Sequence, residues 1–293
     1  MEQVRKIDVH ILSAFVHNGE GGNPAGVVLN ADDLSNEQKS AIASKVGLSE
    51  TAFVSASRTA DFKLDFFTPT RQIAHCGHAT IATFSYLSQS GFIKRNFSSK
   101  ETIDGIRDIL IQGDLAYMEQ KAPTYISIDD RKQQLVQSLG LAAKDIPGNA
   151  ALTIVNTGNS FALIPVADQS VLEKITPDFD LIHQLSEEFD LIGYYVFSTE
   201  TNEPARDATT RMFAPRYGIM EESGTGMAAG PLACYLHDVL GIKKERFMIE
   251  QGLFMHPASP SLIIAELLVN NGVIVKVMAG GKGLLLKKIT VEI

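Results

Sequence analysis

Residues 66–87, FFTPTRQIAHCGHATIATFSYL, can be laid against residues 212–236, MFAPRYGIMEESGTGMAAGPLACYL. Phe67 and Pro69 fall opposite Phe213 and Pro215. Setting Cys76-Gly77 against Ser223-Gly224 needs one extra residue in the second copy. Each stretch reads as an apolar strand stopped by proline, a glycine-containing turn, and a small-residue helix that ends Tyr-Leu. A chain that builds the same strand–turn–helix unit twice is most simply a duplicated fold.

The rest of the chain reads as two rounds of the same kind. In the first, residues 6–15 and 25–29 read as strands around the glycine-rich turn HNGEGGNP. Ser35 opens a helix, with Gln38 at capping-box spacing and Gly47 placed to end it. Residues 48–54 read as a strand. Residues 61–67 alternate, with Phe62, Leu64 and Phe66 on one face and Asp61, Lys63 and Asp65 on the other. A helix over 79–87, strands near 109–111 and 116–120, and a helix over 129–139 follow; 143–149, with Pro147 and Gly148, reads as a link. In the second round, strands are expected at 151–155, 160–165, 193–198, 209–213, 246–251, 262–268, 273–277 and 284–293. Helices are expected at 177–189 and 228–240.

With 293 residues the chain has room for two domains or one duplicated fold. A net charge of −8 argues against a nucleic-acid binder. Two cysteines, Cys76 and Cys234, make neither a disulfide framework nor a Cys-x-x-Cys metal motif. The opening MEQVRKIDVHILSAF lacks the apolar core of a signal peptide, and no apolar run is long enough to span a membrane. The expectation is a soluble cytoplasmic protein with no membrane or nucleic-acid partner.

The two turns suggest the chemistry. The first N–H groups of a helix have no partner within the helix, and the helix dipole is positive there, so both turns are candidate anion sites. Gly77 belongs to one, Ser223, Gly224, Thr225 and Gly226 to the other. His78 brings an imidazole, a group whose unperturbed pKa lies near neutrality and suits acid–base work, or it only orders the turn. Cys76 could be a thiolate at a helix N-terminus, or a small buried residue; Cys234, in an apolar helix, reads as core. Glu50, in GLSETAFV, interrupts an apolar run; burial would raise its pKa and make it a proton shuttle, whereas a solvent-facing position would make it ordinary. Glu221 and Glu222 precede the second turn, as site residues or as solvated charges. Asn23 and Pro24 close the first glycine loop and could wall a small ligand, or only reverse the chain.

These segments together resemble the phenazine-biosynthesis-like PhzF family, which shares the diaminopimelate epimerase fold. The resemblance runs through GGNPAGVVL (21–29), LSETAFV (48–54), FTPTRQIAHCGHATIA (67–82), FAPRYGIMEESGTGMAAGPL (213–232) and EQG (250–252). It implies a mixed α/β chain of the α+β type, made of two similar epimerase-like halves, each a sheet or barrel around a central helix. The implied active site lies in the cleft between the halves. The last strand is expected to return to the first half, giving 1–122 plus about 280–293 as one half, 150–279 as the other, and 123–149 as the connection. The resemblance also implies a homodimer with no metal and no organic cofactor.

The family's chemistry is isomerisation of a small carboxylic acid by proton shift. Its base corresponds to Glu50 and its histidine to His78. The acidic residue of its second turn corresponds to Glu222, where the family has Asp; Ser223 stands for its Pro, and Met227 for its Ser or Asn. The Asp-x-Phe-Thr near its start reads Ser13-Ala14-Phe15-Val16 here, and its Gly-Arg-Pro-Ser-like segment reads His256-Pro257-Ala258-Ser259. Racemases and epimerases of the same fold carry a cysteine before each turn, where this chain has Cys76 and Ser223.

Three readings follow. The first is an isomerase in which Glu50 moves the proton while His78, Glu222 and the N–H groups of Gly77, Gly224, Thr225 and Gly226 hold a carboxylate substrate. The second is a Cys76-dependent amino-acid racemase, epimerase or hydroxy-amino-acid dehydratase. The third is a scaffold that binds a carboxylate or a partner without catalysis.

Overall fold

The computed structural model describes residues 4–148 and 150–293. The chain forms two compact units: the N-terminal segment up to Glu119 together with Gly280–Ile293, and Gln120–Ala279.

The first unit contains β1 (Lys6–Ala14), β2 (Asn23–Val28), α1 (Asn36–Val46), β3 (Thr51–Ser55), β4 (Phe62–Phe67), β5 (Gln72–Ile73), α2 (Gly77–Gln89), β6 (Phe97–Thr102), β7 (Gly105–Gln112) and β8 (Leu115–Gln120). The second contains β9 (Thr124–Ser127), α3 (Lys132–Ser138), β10 (Thr153–Asn156), β11 (Ser160–Pro165), α4 (Gln169–Glu173), α5 (Phe179–Glu188), β12 (Gly193–Ser198), β13 (Ala208–Ala214), β14 (Ile219–Glu222), α6 (Gly226–Asp238), β15 (Arg246–Gln251) and β16 (Ser261–Asn270). The last strand, β17 (Val273–Glu292), starts in the second unit and finishes in the first.

In the first unit, β1 pairs antiparallel with β2, β2 parallel with β3, β3 antiparallel with β4, β4 parallel with β6, and β6 antiparallel with β7. β7 continues to β8, β8 pairs with β17, and β17 pairs back with β1. The ring β17-β1-β2-β3-β4-β6-β7-β8 is therefore a closed eight-strand barrel, with β5 an extra strand on β4. Closure removes the sheet edges that would otherwise need covering.

Helix α2 is the barrel's filling. Every residue from Gly77 to Ser85 is buried, and so is Leu87. Close approach of β17 depends on Gly283, where a Cβ would sit 2.9 Å from the Ala82 carbonyl. The Ser85 hydroxyl accepts the Gly283 N–H at 2.7 Å, so helix and strand are also pinned by polar contacts. Outside the barrel, Ile7, Val9, Ile11, Val28, Phe53 and Phe67 pack under Ile42 and Ala43 of α1. Ser35 caps α1 with Gln38 in a reciprocal capping box, and Gly47 ends it at φ 68°, both as the sequence predicts.

The second unit repeats the pairing scheme. β10 is antiparallel to β11, β11 parallel to β12, β12 antiparallel to β13, β13 parallel to β15, and β15 antiparallel to β16. Helix α6 stands where α2 stands in that scheme and is buried from Ala228 to His237. The equivalence of 66–87 and 212–236 is thus a repeat of topology as well as of residues.

Several local expectations change. Asp65, on the charged face of β4, is buried, with Lys39 Nζ 2.6 Å from its Oδ2. The two strands expected at 273–277 and 284–293 are one strand. The helix expected over 129–139 divides into a 3-10 turn, Asp129–Arg131, and α3. Residues 123–148 belong to the second unit: Ile128, Leu135, Val136, Leu139 and Ile146 share a core with Ile154, Val196 and Phe213. Asn149, the last residue of the expected link, lies outside the described residues. Strands β5, β6, β9 and β14 and helix α4 carry too little periodicity to stand out in the sequence.

Candidate active site

Glu50 is placed by a sequence of local constraints. Gly47 turns the chain out of α1, and the Glu50 carbonyl then accepts the Gly26 N–H at 3.0 Å. Position 26 must be glycine for this approach: a Cβ there would meet Thr51 Oγ1 at 2.7 Å. The tight β2–β3 contact holds Glu50 at the head of β3. His78 is the second residue of α2, and Cys76 is its N-cap, in extended conformation at φ −142°. No side chain caps this helix end.

The result is a small cluster. Glu50 Oε2 lies 3.3 Å from His78 Nε2, and Cys76 Sγ lies 3.6 Å from His78 Nδ1 and 3.9 Å from Nε2. One ligating atom from each of the three residues falls within 4.8 Å of the others. Cys76 and His78 are buried, and the Glu50 side chain is 13% exposed. Glu50 Oε2 itself is buried and makes no hydrogen bond among the described residues; His78 is in ion-pair range but not in hydrogen-bond alignment. A carboxylate oxygen held in this way retains a lone pair for a substrate proton.

Electrostatics separates the two candidate bases. Burial pushes the Cys76 thiol up; His78 pulls it back and the Glu50 carboxylate pushes it further. The thiolate expected from a helix N-terminus is thus suppressed by desolvation.

Behind the cluster lies a buried layer that the sequence gives no reason to expect. The Thr80 hydroxyl donates to the Cys76 carbonyl at 2.6 Å and receives Lys100 Nζ at 2.7 Å. Lys100 Nζ also lies 3.0 Å from His75 Nδ1 and 5.1 Å from the centre of the Phe66 ring. Burial lowers the Lys100 ammonium to about 7, and burial with the Lys100 charge lowers His75 to about 3. Neutral His75 is therefore the acceptor for Lys100, and the pair braces the turn that carries Cys76.

The second unit's turn is described on its own. Glu222 ends β14 and α6 starts at Gly226 with Thr225 as N-cap, so three residues form the turn, as they do between β5 and α2. Gln251 on β15 clamps it. Its Nε2 donates to the Glu222 carbonyl at 2.7 Å and to Thr225 Oγ1 at 3.0 Å; its Oε1 accepts the Thr225 N–H at 3.0 Å and the Tyr195 hydroxyl at 2.9 Å. The Thr225 N–H that the sequence reading reserves for substrate is therefore engaged by Gln251. The Thr225 hydroxyl donates to the Glu222 carboxylate. Ser223 is buried beside Gly252, whose φ of 79° and lack of a Cβ allow the Ser223 and Ser259 carbonyls to approach. Met227 Sδ accepts from Asn159 Nδ2 at 3.5 Å. Glu221 is not a solvated charge: Arg211 grips it with two bonds of 2.8 Å.

Asn23 and Pro24 open β2 opposite Ala14 and Ser13, with Asn23 buried. The structure thus gathers Glu50, His78 and Cys76 into one cluster, and Glu222 with Ser223, Gly224, Thr225 and Gly226 into one clamped turn. Lys100, His75 and Arg211 were missed. Only Gln251 left a trace, in the EQG segment.

The fold defines a class: a mixed α+β protein of the epimerase fold, here with a carboxylate, an imidazole and a thiol gathered at a barrel helix N-terminus. The phenazine biosynthesis-like (PhzC-PhzF) family pattern matches residues 12–283, and the chain belongs to that family. An uncharacterised isomerase of Clostridium acetobutylicum is 34% identical over 241 residues, 80% of each chain. The trans-2,3-dihydro-3-hydroxyanthranilate isomerase of Pseudomonas chlororaphis is 30% identical over 230 residues, 77% of this chain and 78% of that one. A crystal structure of a PhzF-family phenazine biosynthesis protein from Bacillus anthracis matches with a TM-score of 0.90 at 27% identity, covering 99% of this chain and 100% of that one. A hydroxyproline epimerase from Agrobacterium vitis shares the fold at a TM-score of 0.58 and 13% identity, over 99% of this chain and 93% of that one. No helix among the described residues is long and apolar enough to cross a membrane.

Proposed function

We propose that the protein is an isomerase of a small carboxylic acid, working by proton shift with Glu50 as the base. The observation that carries this is the Glu50 Oε2 atom: buried, without a hydrogen bond among the described residues, and 3.3 Å from His78 Nε2. Membership of a family with named isomerases supports the reaction class. In this reading His78 and the N–H end of α2 stabilise the charge that develops as Glu50 removes a proton from carbon, and Glu50 returns the proton elsewhere on the substrate. Thr225, whose N–H is engaged by Gln251, is assigned to holding its own turn. The reaction asks nothing of a metal or an organic cofactor.

The test uses trans-2,3-dihydro-3-hydroxyanthranilate and a panel of small unsaturated and hydroxy acids in deuterium oxide. Solvent deuterium should enter a substrate C–H position with the wild type. Glu50→Gln should reduce that exchange by at least about a hundredfold while leaving the circular dichroism unchanged. Full exchange in Glu50→Gln removes the proposal.

A second reading draws on the 3.6 Å approach of Cys76 Sγ to His78 Nδ1, which could deprotonate the thiol for racemase or dehydratase chemistry. It requires that Cys76→Ala be inactive and that iodoacetamide inactivate the enzyme. Burial of the thiol argues against it.

A further inference from the structure

We propose that Cys76, His78 and Glu50 form a three-ligand site for a soft divalent cation of the zinc class, and that occupancy of this site switches the enzyme off. The binding claim stands on geometry alone; the inhibitory consequence rests on the reading of Glu50 as the base.

The ligand chemistry suits zinc. A thiolate, an imidazole and a carboxylate are the donor types zinc takes, and three protein ligands with an open fourth position is a usual arrangement. With Zn–N and Zn–O bonds of about 2.0–2.2 Å and Zn–S of about 2.3 Å, a tetrahedron needs an N···O edge of about 3.3 Å and an S···N edge of about 3.6 Å. The observed edges are 3.3 Å for His78 Nε2 to Glu50 Oε2 and 3.9 Å for His78 Nε2 to Cys76 Sγ. All three donor atoms lie within 4.8 Å of each other, so a small movement of Cys76 completes the set. The second observation is the state of Glu50 Oε2, a buried acceptor atom with no hydrogen bond among the described residues.

The helix N-terminus would repel a bare cation. Two anionic ligands, the Glu50 carboxylate and the Cys76 thiolate, neutralise a divalent ion at this point. On binding, Cys76 forms an S–metal bond and its thiol proton passes to solvent. Glu50 Oε2 gives its lone pair to the metal, so it can no longer accept a proton from carbon. The fourth position stays open to water or to a substrate carboxylate.

The experiment uses the full chain, stripped with a chelator and titrated with Co²⁺ as a spectroscopic probe, with Zn²⁺ as competitor. One Co²⁺ per chain is expected, with four-coordinate visible bands and a near-ultraviolet sulfur-to-metal charge-transfer band that Zn²⁺ abolishes. Cys76→Ser should lose the charge-transfer band. Glu50→Gln and His78→Asn should each weaken binding by at least about tenfold. His183→Ala, an exposed histidine on α5, should bind as the wild type does. X-ray absorption at the zinc edge of the wild type should show one sulfur ligand, which keeps the test decisive if a variant misfolds. Absence of saturable binding, a sulfur-free zinc shell, or binding undiminished in all three ligand variants overturns the inference. Metal binding is read without turnover; deuterium exchange is read in chelator and again with Zn²⁺ saturating, where it should be lost, and full exchange in the zinc-loaded wild type overturns the switching claim. Binding without exchange sinks only the Glu50 base reading. Exchange without binding sinks only the metal site.

Discussion

Lys100 shows how far burial can change a side chain's character. In sequence it is one charge in FSSKET; in the fold it is 0% exposed, bonded to His75 and Thr80, and lowered to about 7. The unfolded chain binds the Lys100 proton up to its ordinary value near 10.5, while the folded chain releases it near 7. Between those values the unfolded state holds more protons, so stability rises with pH there; the penalty is fully present below about 7. Urea unfolding across pH 7 to 10 should show this as a slope of at most about 1.4 kcal/mol per pH unit. Lys100→Met should flatten it, and an unchanged slope in that variant would refute the assignment. Lys39 and Asp65 make the opposite case, a buried pair 2.6 Å apart with side chains 7% and 5% exposed. Lys39→Met should cost about 3 kcal/mol in denaturant unfolding, because Asp65 is left charged and buried, with Lys63 at 3.8 Å the one other cation in reach among the described residues. Lys39→Met with Asp65→Leu should recover most of the loss.

At the scale of elements, the helices divide by what defines them. Helix α1 is specified locally: Ser35 and Gln38 cap it reciprocally and Gly47 closes it. Ser35→Ala should lower stability by about 1 kcal/mol with no effect on catalysis, measured by thermal unfolding and exchange rate together. Helices α2 and α6 have no side-chain cap at all. Their beginnings are held in other ways: in α2 the Thr80 hydroxyl bonds back to the Cys76 carbonyl and is itself gripped by Lys100 of β6, and in α6 the turn is clamped by Gln251 of β15. This explains why the sequence reading starts both of them two residues late. The β2–β3 pair sets the base in place. Gly26→Ala would force apart strands that touch at Thr51, and with them the Gly26–Glu50 bond. Deuterium exchange should fall by more than thermal stability does; equal losses would show that Glu50 placement does not depend on this contact.

For the whole molecule, the deciding element is β17. From Gly280 onward it closes the first unit's barrel by pairing with β8 and β1. A chain ending at Ala279 leaves β1 paired on one side only. Its amides over 6–14 should exchange with solvent far faster than in the full chain, as read by hydrogen-exchange mass spectrometry. Retained protection would mean that the remaining strands hold the unit without closure. A contiguous chain of two simple domains would not couple its C-terminus to its first strand in this way.

The sequence by itself determined the duplication, most strand and helix positions, the family, and the residue types of the site. These are local properties: periodicity, proline and glycine punctuation, and motif order all survive in a one-dimensional string. Glu50, His78 and Cys76 could each be named from it, but not their convergence, because residues 50 and 76–78 meet only through barrel pairing. Nor could it choose between a reactive and a suppressed Cys76, since that depends on desolvation. The roles of Lys100, Gln251 and Arg211 were likewise decided by tertiary structure. A charged or amide side chain looks the same in sequence whether it faces water or a buried partner, and only the fold sets its surroundings.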